Sequence, residues 1–358
     1  MKPTIRPIKC IFVGDLALGD HPKSVGFGFY SKYKNGIPVD KVGSLFQGAS
    51  DHDILFGNLE FNLGNAELTG KSHDELNCRG ISKFVDFLQQ VGFNVVNIAN
   101  NHIYQHGIVE FEKTLKKLRD KGIGIVGLRN NKCCSNVIKV DDQSVVILGW
   151  SARPRQGFND LPPYLEFDEM SCYEEIAEAK KKFSYVCVSM HWGEEFIEIP
   201  SENEKRVAKK MIDMGASVVI GHHPHVIREI EEYNGGLIAY SLGNFICDMT
   251  WNEKTRKTGY LYVEFADCRI SRWKNVHGRI GDSYFPEYSN ELPDSSGAFS
   301  ELYSKLRTSS YAHLAQCALL RHQLLTLLHM FRNCLKYRPS ILLSMMGKAI
   351  RDRLVVNS

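Results

Sequence analysis

The sequence predicts an α/β fold, and two observations lead to this prediction. Short runs rich in Val, Ile and aromatic residues alternate with amphipathic segments of helical period through about the first 300 residues. The later runs follow one another with fewer helical segments between them. Alternating strands and helices favour a sheet with helices packed on its faces, and the closely spaced later strands suggest a second, more antiparallel sheet.

The strands and helices can be placed along the chain from these patterns. Nine segments are predicted to be strands: Lys9–Val13, Asp53–Phe56, Asn94–Ile98, Ile123–Val126, Val145–Trp150, Tyr185–Ser189, Ser217–Ile220, Leu237–Tyr240 and Tyr260–Phe265. Apolar residues recur at helical spacing between them, in Ile81–Val91, Ile108–Leu118 and Val207–Ile212. The Pro-rich and Gly-containing segment Ser151–Pro163 has the composition of a loop, and it forms either an active-site flap or a surface excursion.

The net charge of the chain changes from negative to positive near residue 300. From Leu302 to the end there are nine Lys or Arg residues and one Asp, a net charge of +8, so residues 1–301 carry −5 of the total of +3. We predict a first domain over residues 1–277, a linker over 278–297, and a basic helical region over 298–358 that Pro339 interrupts. This last region either binds an anionic membrane surface or packs on the body or on a second copy of the chain. Its histidines lack companion carboxylates and are expected to be solvated: His313, His322 and His329.

Composition argues against several classes of protein. The first 15 residues contain no signal-peptide core, and no stretch of about 18 uncharged apolar residues occurs, so neither a secretory leader nor a spanning helix is expected. The ten cysteines show no C-x-x-C motif and no regular spacing, which favours reduced thiols and a cytoplasmic location, with membrane association left open. Basic residues are not interleaved with aromatic ones near the predicted site, so a nucleic-acid partner is not expected.

Polar side chains directly follow five of the predicted strands. They are Asp15 after the first strand, Asn58 and Glu60 after the second, Asn100, Asn101 and His102 after the third, His191 after the sixth, and His222, His223 and His225 after the seventh. In a sheet covered by helices, ligands bind at the carboxyl ends of the strands, because the loops there converge on one crevice. We therefore expect these side chains to lie close together.

The chemistry of this set indicates a site for divalent metal ions. Carboxylate, amide and imidazole groups suit Mn, Fe, Zn or Mg better than a thiolate-binding metal. A carboxylate can bridge two cations, which together polarise a phosphoryl oxygen and generate a hydroxide at neutral pH. A histidine outside the metal shell can then protonate the leaving oxygen.

Each motif alone also has a structural explanation. Asp15 after a glycine can be a turn residue or a helix N-cap, Glu60 a surface carboxylate, and Asn100 with Asn101 a turn before a helix. A single histidine such as His191 is more often a satisfied core residue than a ligand. Three histidines within four positions, at 222, 223 and 225, are hard to explain by packing, so metal binding is the favoured interpretation.

The same residues carry a family resemblance. The chain resembles the CapA family of poly-γ-glutamate capsule biosynthesis proteins, whose fold is related to the calcineurin-like metallophosphoesterases. The resemblance covers about residues 10–250 and rests on six segments: Gly14-Asp15, Asn58-Leu59-Glu60, Ala99-Asn100-Asn101-His102, His191-Trp192-Gly193 with Glu195, Gly221–Val226 and Tyr240–Phe245.

The resemblance implies a four-layer α/β/β/α sandwich around a centre that holds two divalent metal ions. By analogy, Asp15 binds one metal and Glu60 bridges both. The shells are completed by Asn101, His191, His223 and His225, and His102 is the candidate general acid. Residues expected in contact with the substrate or the ligands are Asn58, Asn100, Glu195, His222 and Asn244. Asn244 can equally belong to a glycine-permitted turn between two strands.

The resemblance suggests a hydrolase, but two positions depart from the family pattern. A hydrolase of this kind acts on a phosphoester, or on an amide or ester bond of a surface-polymer precursor. Phosphoesterases usually begin with Asp-x-His, whereas Ala17 stands at the third position here. CapA proteins commonly carry an Asp where this chain has Gln105, and His106 either compensates or faces solvent. These departures keep open a second function, that of a non-catalytic factor in capsule-polymer assembly or export.

Overall fold

The computed structural model describes residues 6–43, 45–46, 51–65, 67–69, 72–129, 137–140, 143–156, 158–288 and 310–345. Its strands are β1 Ile8–Leu16, β2 Ile54–Leu59, β3 Asn62–Asn65, β4 Arg79–Ile81, β5 Val95–Asn97, β6 Gly124–Val126, β7 Val137–Val140, β8 Gln143–Ser151, β9 Tyr185–His191, β10 Val218–His222, β11 Ile230–Tyr233, β12 Gly236–Ala239, β13 Asn244–Ile246, β14 Lys257–Ala266, β15 Arg269–Ile280 and β16 Pro286–Glu287. Its helices are α1 Phe29–Tyr33, α2 Asp40–Gly43, α3 His73–Leu76, α4 Lys83–Val91, α5 Ile108–Asp120, α6 Glu169–Lys180, α7 Glu202–Asp213, α8 Glu253–Arg256 and α9 Tyr311–Arg332, followed by a 3₁₀ turn at Cys334–Lys336.

The larger sheet combines parallel and antiparallel strands. Its order is β16-β15-β14-β1-β2-β5-β6, and β13 pairs with the end of β1. The strands β1, β2, β5 and β6 are parallel to one another, whereas β14, β15 and β16 pair antiparallel on the other side of β1. Strand β1 is buried on both faces, which explains the nearly continuous apolar run in its sequence.

The second sheet is mostly parallel, so the expectation of a more antiparallel one was wrong. Its order is β11-β12-β10-β9-β8-β7, with antiparallel pairing only at the two edges. Helices α6 and α7 make the crossovers that parallel neighbours require. Sequence patterns had not predicted α6, and the antiparallel strands at the end of the chain join the first sheet instead.

The two sheets contribute side chains to a shared core. Phe12 and Phe56 of the first sheet belong to one buried cluster with Ile147, Cys187 and Ile220 of the second. Helices α4 and α5 share a cluster with the first sheet through side chains such as Phe84, Leu88 and Phe111, and α6 and α7 share one with the second sheet through Ile176, Val207 and Met211. The sequence-based α/β class is confirmed, and the strand ends of both sheets lie at the edges of this core.

All nine predicted strands are present, with ends shifted by a few residues. The predicted helix over Ile81–Val91 begins two residues later, because Ile81 belongs to β4. The 12-residue strand β15 was missed, since its residues are mostly polar and half-exposed and its position is set by antiparallel pairing with β14. The predicted boundary between residues 277 and 278 falls inside β15, and residues 289–297 of the predicted linker lie outside the described residues. The division into domains stays a prediction.

The C-terminal helix α9 packs on the body through its histidines, which corrects the expectation that they are solvated. His322 is buried and stacks on Phe196, with ring centroids 3.6 Å apart. His329 is partly buried beside Trp251, with centroids 4.3 Å apart. Burial lowers the pKa of each of these two histidines to about 4, so both are neutral at pH 7. Only His313 is exposed as expected.

Within the described ranges, no helix combines the length and the apolar character needed to cross a membrane. Free thiols lie in the interior at Cys10, Cys172, Cys187 and Cys247 and on the surface at Cys268, Cys317 and Cys334, while Cys133 and Cys134 lie outside the described residues.

Candidate metal centre

Five strands bring predicted site residues together. In the larger sheet, Asp15 near the end of β1 is in register with Asn58 of β2 on one side and with Asn244, the first residue of β13, on the other. In the second sheet, His191 at the end of β9 is in register with His222 at the end of β10. Polar residues of both sheets therefore lie at neighbouring strand ends.

A hydrogen-bond network around Asn58 sets the positions of the two carboxylates. Asn58 Nδ2 donates to Asp15 Oδ1 at 2.8 Å and to Glu60 Oε2 at 2.6 Å. Its Oδ1 accepts from Asn97 Nδ2 at 3.0 Å, which fixes the orientation of the amide. Asn58 therefore orients the carboxylates as expected, and Asn97, which the sequence analysis did not single out, supports it. The position of Asn97 at the end of β5 is the sequence signal that could have identified it as a residue of the site.

Two groups of potential ligands share Glu60. Atoms of Asp15, Glu60 and His191 lie within 4.8 Å of one another, and so do atoms of Glu60, His223 and His225. All five side chains are buried. A carboxylate common to two such groups is the arrangement in which one residue bridges two cations.

Several buried polar atoms of the centre have no hydrogen-bond partner in the structure. Among the described residues they are Glu60 Oε1 and both ring nitrogens of His223, while His222 Nδ1 has a contact of 3.4 Å with Asp15 Oδ1. Buried polar atoms are normally satisfied, because leaving one without a partner costs about 1–3 kcal/mol. Oxygen and imidazole nitrogen atoms left open at the focus of a carboxylate pair fit divalent cations such as Mn, Fe, Zn or Mg.

The backbone at two of the histidines is in an unfavourable conformation. His223 has a φ of 93° and His225 a φ of 57°, and Phe196, which stacks at 6.1 Å on the His225 ring, has a φ of 65°. Residues other than glycine at positive φ cost on the order of 1–3 kcal/mol each, and they cluster at functional sites. The short Gly221–His225 turn thus directs two imidazoles into the centre at the expense of local strain.

The electrostatics also favour a positive charge in the centre. Burial raises the pKa of Glu60 well above its ordinary value, and the charge of Asp15 raises it further. Burial acts on Asp15 in the same direction, but hydrogen bonds from His222 and His225 hold its pKa well below the ordinary value. Two buried carboxylates at this distance cannot both be ionised cheaply without a cation between them. Burial lowers the pKa of His191 and His223, leaving both imidazoles in the neutral form that binds metal.

His225 is held by two polar groups. Its Nδ1 lies 2.9 Å from Asn244 Oδ1 and 3.4 Å from Asp15 Oδ2. Burial lowers its pKa, but the hydrogen bond and charge of Asp15 outweigh this and raise it to about 9. Asn244 is therefore not merely a turn residue, because its side chain faces the centre. His222 Nδ1 lies 3.4 Å from Asp15 Oδ1 on the opposite side of that carboxylate.

His102 lies at the edge of the centre and is oriented by Gln105. Its Nε2 is 4.0 Å from Glu60 Oε1, and its Nδ1 is 2.9 Å from Gln105 Oε1. Gln105 Nε2 in turn donates to Asn77 Oδ1 at 3.0 Å. Gln105 thus keeps an orienting hydrogen bond without a charge, and burial lowers the pKa of His102 to about 4. His106 neither compensates nor faces solvent, since its Nε2 contacts the carbonyl of Asn77 at 2.9 Å.

The remaining predicted residues take different places around the centre. Asn101 Oδ1 is 2.8 Å from His191 Nε2, and its Nδ2 donates to Gln156 of the proline-containing loop at 2.8 Å. Asn100 Oδ1 accepts from the backbone amide of His102 at 3.1 Å and shapes the turn, and its Nδ2 donates to Asn58 Oδ1 at 3.3 Å, so it also contacts the residue that holds both carboxylates. Glu195 is 37% exposed, with Oε1 3.9 Å from His223 Nε2, and lies at the rim. The contact of Gln156 places this loop against the site, as expected of a flap.

Ala17 stands in an apolar environment. It is buried in a cluster with Phe61, Phe196, Cys247 and Met249, so the position that carries a histidine in phosphoesterases offers no ligand atom here.

The comparisons with known proteins agree with these observations. The sequence profile of the family described as bacterial capsule synthesis protein PGA_cap matches residues 9–249. The PGA biosynthesis protein CapA of Bacillus subtilis (strain 168) is 31% identical over 270 residues, covering 74% of this chain and 69% of that protein. The Capsule biosynthesis protein CapA of Bacillus anthracis is 30% identical over 267 residues, covering 71% of this chain and 63% of that protein.

Similarity to solved structures is weaker. A 5'-nucleotidase from Candida albicans SC5314 superposes with a TM-score of 0.43 and 13% identity, covering 86% of this chain and 59% of that chain, which is too distant to inform its activity. The family match, in contrast, spans more than half of the chain and contains all the residues of the centre. This chain belongs to the bacterial capsule synthesis protein PGA_cap family.

Proposed function

We propose that this chain is a metal-dependent hydrolase of capsule-polymer synthesis, which cleaves a phosphoester, or an amide or ester bond of a polymer precursor. The observation that carries the proposal is the pair of buried ligand groups that share Glu60. Membership of a capsule synthesis family supports the polymer precursor as the substrate class. The core that the two sheets share, and the separate clusters in which each sheet packs with two helices, support the four-layer α/β/β/α sandwich that the resemblance implies.

The residues divide into two sets around the shared carboxylate. Asp15, His191 and Glu60 would hold one divalent ion, with Asn101 beside His191, and Glu60, His223 and His225 would hold a second. Divalent ions at these positions would supply a Lewis acid for the scissile bond and activate water for attack at neutral pH. Asn58 and Asn244 orient Asp15, Glu60 and His225, so the ligands are held in place before anything binds.

His102 is the residue placed to move a proton. Gln105 Oε1 faces His102 Nδ1 because the amide nitrogen of Gln105 donates to Asn77, so Nδ1 carries the hydrogen and Nε2 is the free acceptor. This Nε2 points to the side of the centre where Glu60 lies, at 4.0 Å. His102 can accept a proton there and return it to the leaving oxygen.

The test is a hydrolysis screen paired with three variants. Bis(p-nitrophenyl) phosphate, p-nitrophenyl phosphate and a γ-glutamyl p-nitroanilide are incubated with protein loaded with Mn or Zn. Glu60→Gln and His225→Ala are expected to lower the rate at least about 100-fold, because each removes a ligand. His313→Ala, an exposed histidine far along the chain, is the matched control and keeps wild-type activity. Hydrolysis that survives in both ligand variants would exclude the proposed centre as its source.

A second function has its own supporting observation. The Nδ1 of His102 faces the neutral amide of Gln105, where a charged carboxylate would be expected from the family pattern, and Ala17 supplies no ligand, so the chain also fits a non-catalytic factor in polymer assembly or export that retains the site. His102→Ala separates the two functions in a host whose capsule or exopolysaccharide requires this protein. Loss of polymer supports the hydrolase, whereas unchanged polymer favours the assembly factor.

A further inference from the structure

The C-terminal helix α9 contacts the body through both polar and apolar residues. Trp251 Nε1 donates to Thr326 Oγ1 at 3.0 Å, and His322 Nδ1 lies 3.1 Å from Asn252 Nδ2. Ala318 on the same side packs against an apolar cluster of the body. A surface helix of a globular protein normally exposes a polar side, whereas the outward side of α9 carries large apolar residues that packing within the described residues does not explain.

The outward side of α9 presents a continuous row of large apolar residues. We call it the apolar stripe; it comprises Leu320, Leu324, Leu327, Phe331 and, in the 3₁₀ turn that follows, Leu335. Spacings of three and four residues align these side chains on one side of a helix. They are between 57% and 96% exposed, and Leu319 and Leu328 flank them at 40% and 44%. A contiguous exposed apolar surface of this kind marks an interaction site.

The segment that carries the stripe has charges of one sign. Residues 310–345 contain no Asp or Glu, and all four of their Lys and Arg residues are exposed: Arg321, Arg332, Lys336 and Arg338. Next to the stripe, a groove of about 640 Å³ is lined by Arg332 and Lys336 of this segment together with Lys32 and Arg256 of the body, against only Glu253 and Asp282. The neighbourhood of the stripe is therefore complementary to a negatively charged surface.

We propose that α9 docks this protein on the surface of an anionic membrane, with the apolar stripe at the headgroup–acyl boundary and the flanking Arg and Lys residues against lipid phosphates. Interfacial helices bind lipid through this combination of apolar and basic groups. A second copy of the chain fits less well, because two stripes in contact would bring two sets of four cations together without a carboxylate in either segment.

Docking on this side has a geometric consequence for the centre. The inner side of α9 carries His322, which stacks on Phe196, and Phe196 stacks on His225. The candidate metal centre thus lies behind the helix that binds the membrane. The proposal holds whether or not the chain is a hydrolase.

The test is co-sedimentation of the full chain with phosphatidylcholine vesicles, with and without phosphatidylglycerol. Wild-type protein is expected to pellet with the mixed vesicles and to be released by high salt. The triple variant Leu324→Gln, Leu327→Gln, Phe331→Gln is expected to bind at least about 100-fold more weakly, since three large apolar groups no longer enter the interface. Its matched control replaces three apolar residues of the body that are 59–67% exposed, Val109, Leu161 and Met170, and keeps wild-type binding.

A second variant tests the basic groups, and circular dichroism with thermal melting checks that every variant is folded. Arg332→Gln with Lys336→Gln is expected to weaken binding to the mixed vesicles about fivefold per residue. Absence of binding by the wild type, or equal loss in the stripe variant and its control, would overturn the proposal. So would a stable dimer in light scattering that only the stripe variant turns into a monomer, because the stripe would then be a contact between copies.

Discussion

Arg228 is the residue whose removal gives the sharpest prediction about stability. It is only 1% exposed, and its guanidinium binds three groups: Nη1 donates to Glu204 Oε1 at 2.5 Å, Nε to the carbonyl of Ile197 at 2.9 Å, and Nη2 to the carbonyl of Glu194 at 2.9 Å. Glu204 is itself buried at the start of α7, where its other oxygen accepts from the backbone amide and the hydroxyl of the N-cap residue Ser201. Arg228 therefore ties α7 to the loop that contains Glu195 and Phe196.

Replacing Arg228 by Met leaves Glu204 as a buried charge without its partner. Breaking a buried ion pair from one side costs about 3–5 kcal/mol, and the two carbonyls that lose a donor act in the same direction. We therefore expect Arg228→Met to lower the free energy of unfolding by about 3–5 kcal/mol and the thermal midpoint by on the order of 10 °C. Urea unfolding followed by circular dichroism and by tryptophan fluorescence measures the loss.

The double variant Arg228→Met, Glu204→Gln provides the control. Because the second change neutralises the charge left behind, it is expected to recover about 1–3 kcal/mol of the loss, which is the size of coupling between contacting residues. Metal affinity is expected to fall less in Arg228→Met than in Glu60→Gln, since Arg228 acts only through the rim loop. A loss below about 1 kcal/mol, or additive effects of the two changes, would refute this explanation of the pair.

Three further predictions concern a turn, a buried acid and an orienting amide. Gly14→Ala is expected to abolish soluble expression, because a Cβ at this position would lie only 1.9 Å from the backbone carbonyl oxygen of Gly243. Burial, reinforced by the charge of Asp20, raises the pKa of Asp248 to about 8. The native state then binds more protons than the unfolded state between about pH 4 and pH 8, so stability falls as pH rises through that window, and Asp248→Asn should flatten urea midpoints measured across it. Gln105→Glu is expected to raise the pKa of His102, which nitrogen-15 NMR titration of the metal-free protein measures; an unchanged value contradicts the contact.

The candidate site was more predictable from the sequence than the outer parts of the fold. Glu60, His191 and His225 follow buried strands directly, and the convergence of parallel strand ends brings such residues together whatever the details of the loops. The strand order could not be inferred, because residues 8–13 of β1 pair with residues 260–265 of β14, which are far apart in the sequence. Long-range pairing of this kind leaves no trace in local periodicity.

The C-terminal helix shows the limit of arguments from composition. His322 looked solvated because no carboxylate lies near it in sequence, but its partners are the Phe196 ring and the Asn252 amide, which are distant in the chain. The helix has apolar residues at helical spacing, and sequence patterning assigns that side to the interior. The structure leaves part of that apolar surface outward, while His322 and Thr326 face polar groups of the body.

The most direct test of the candidate metal centre is the metal content of purified protein, measured by elemental mass spectrometry after equilibration with Mn or Zn and removal of free ions. The shared position of Glu60 predicts about two ions per chain for the wild type and for His313→Ala, and less than about one for Glu60→Gln. No bound metal in the wild type, or the same content in wild type and Glu60→Gln, would contradict a centre built around this carboxylate.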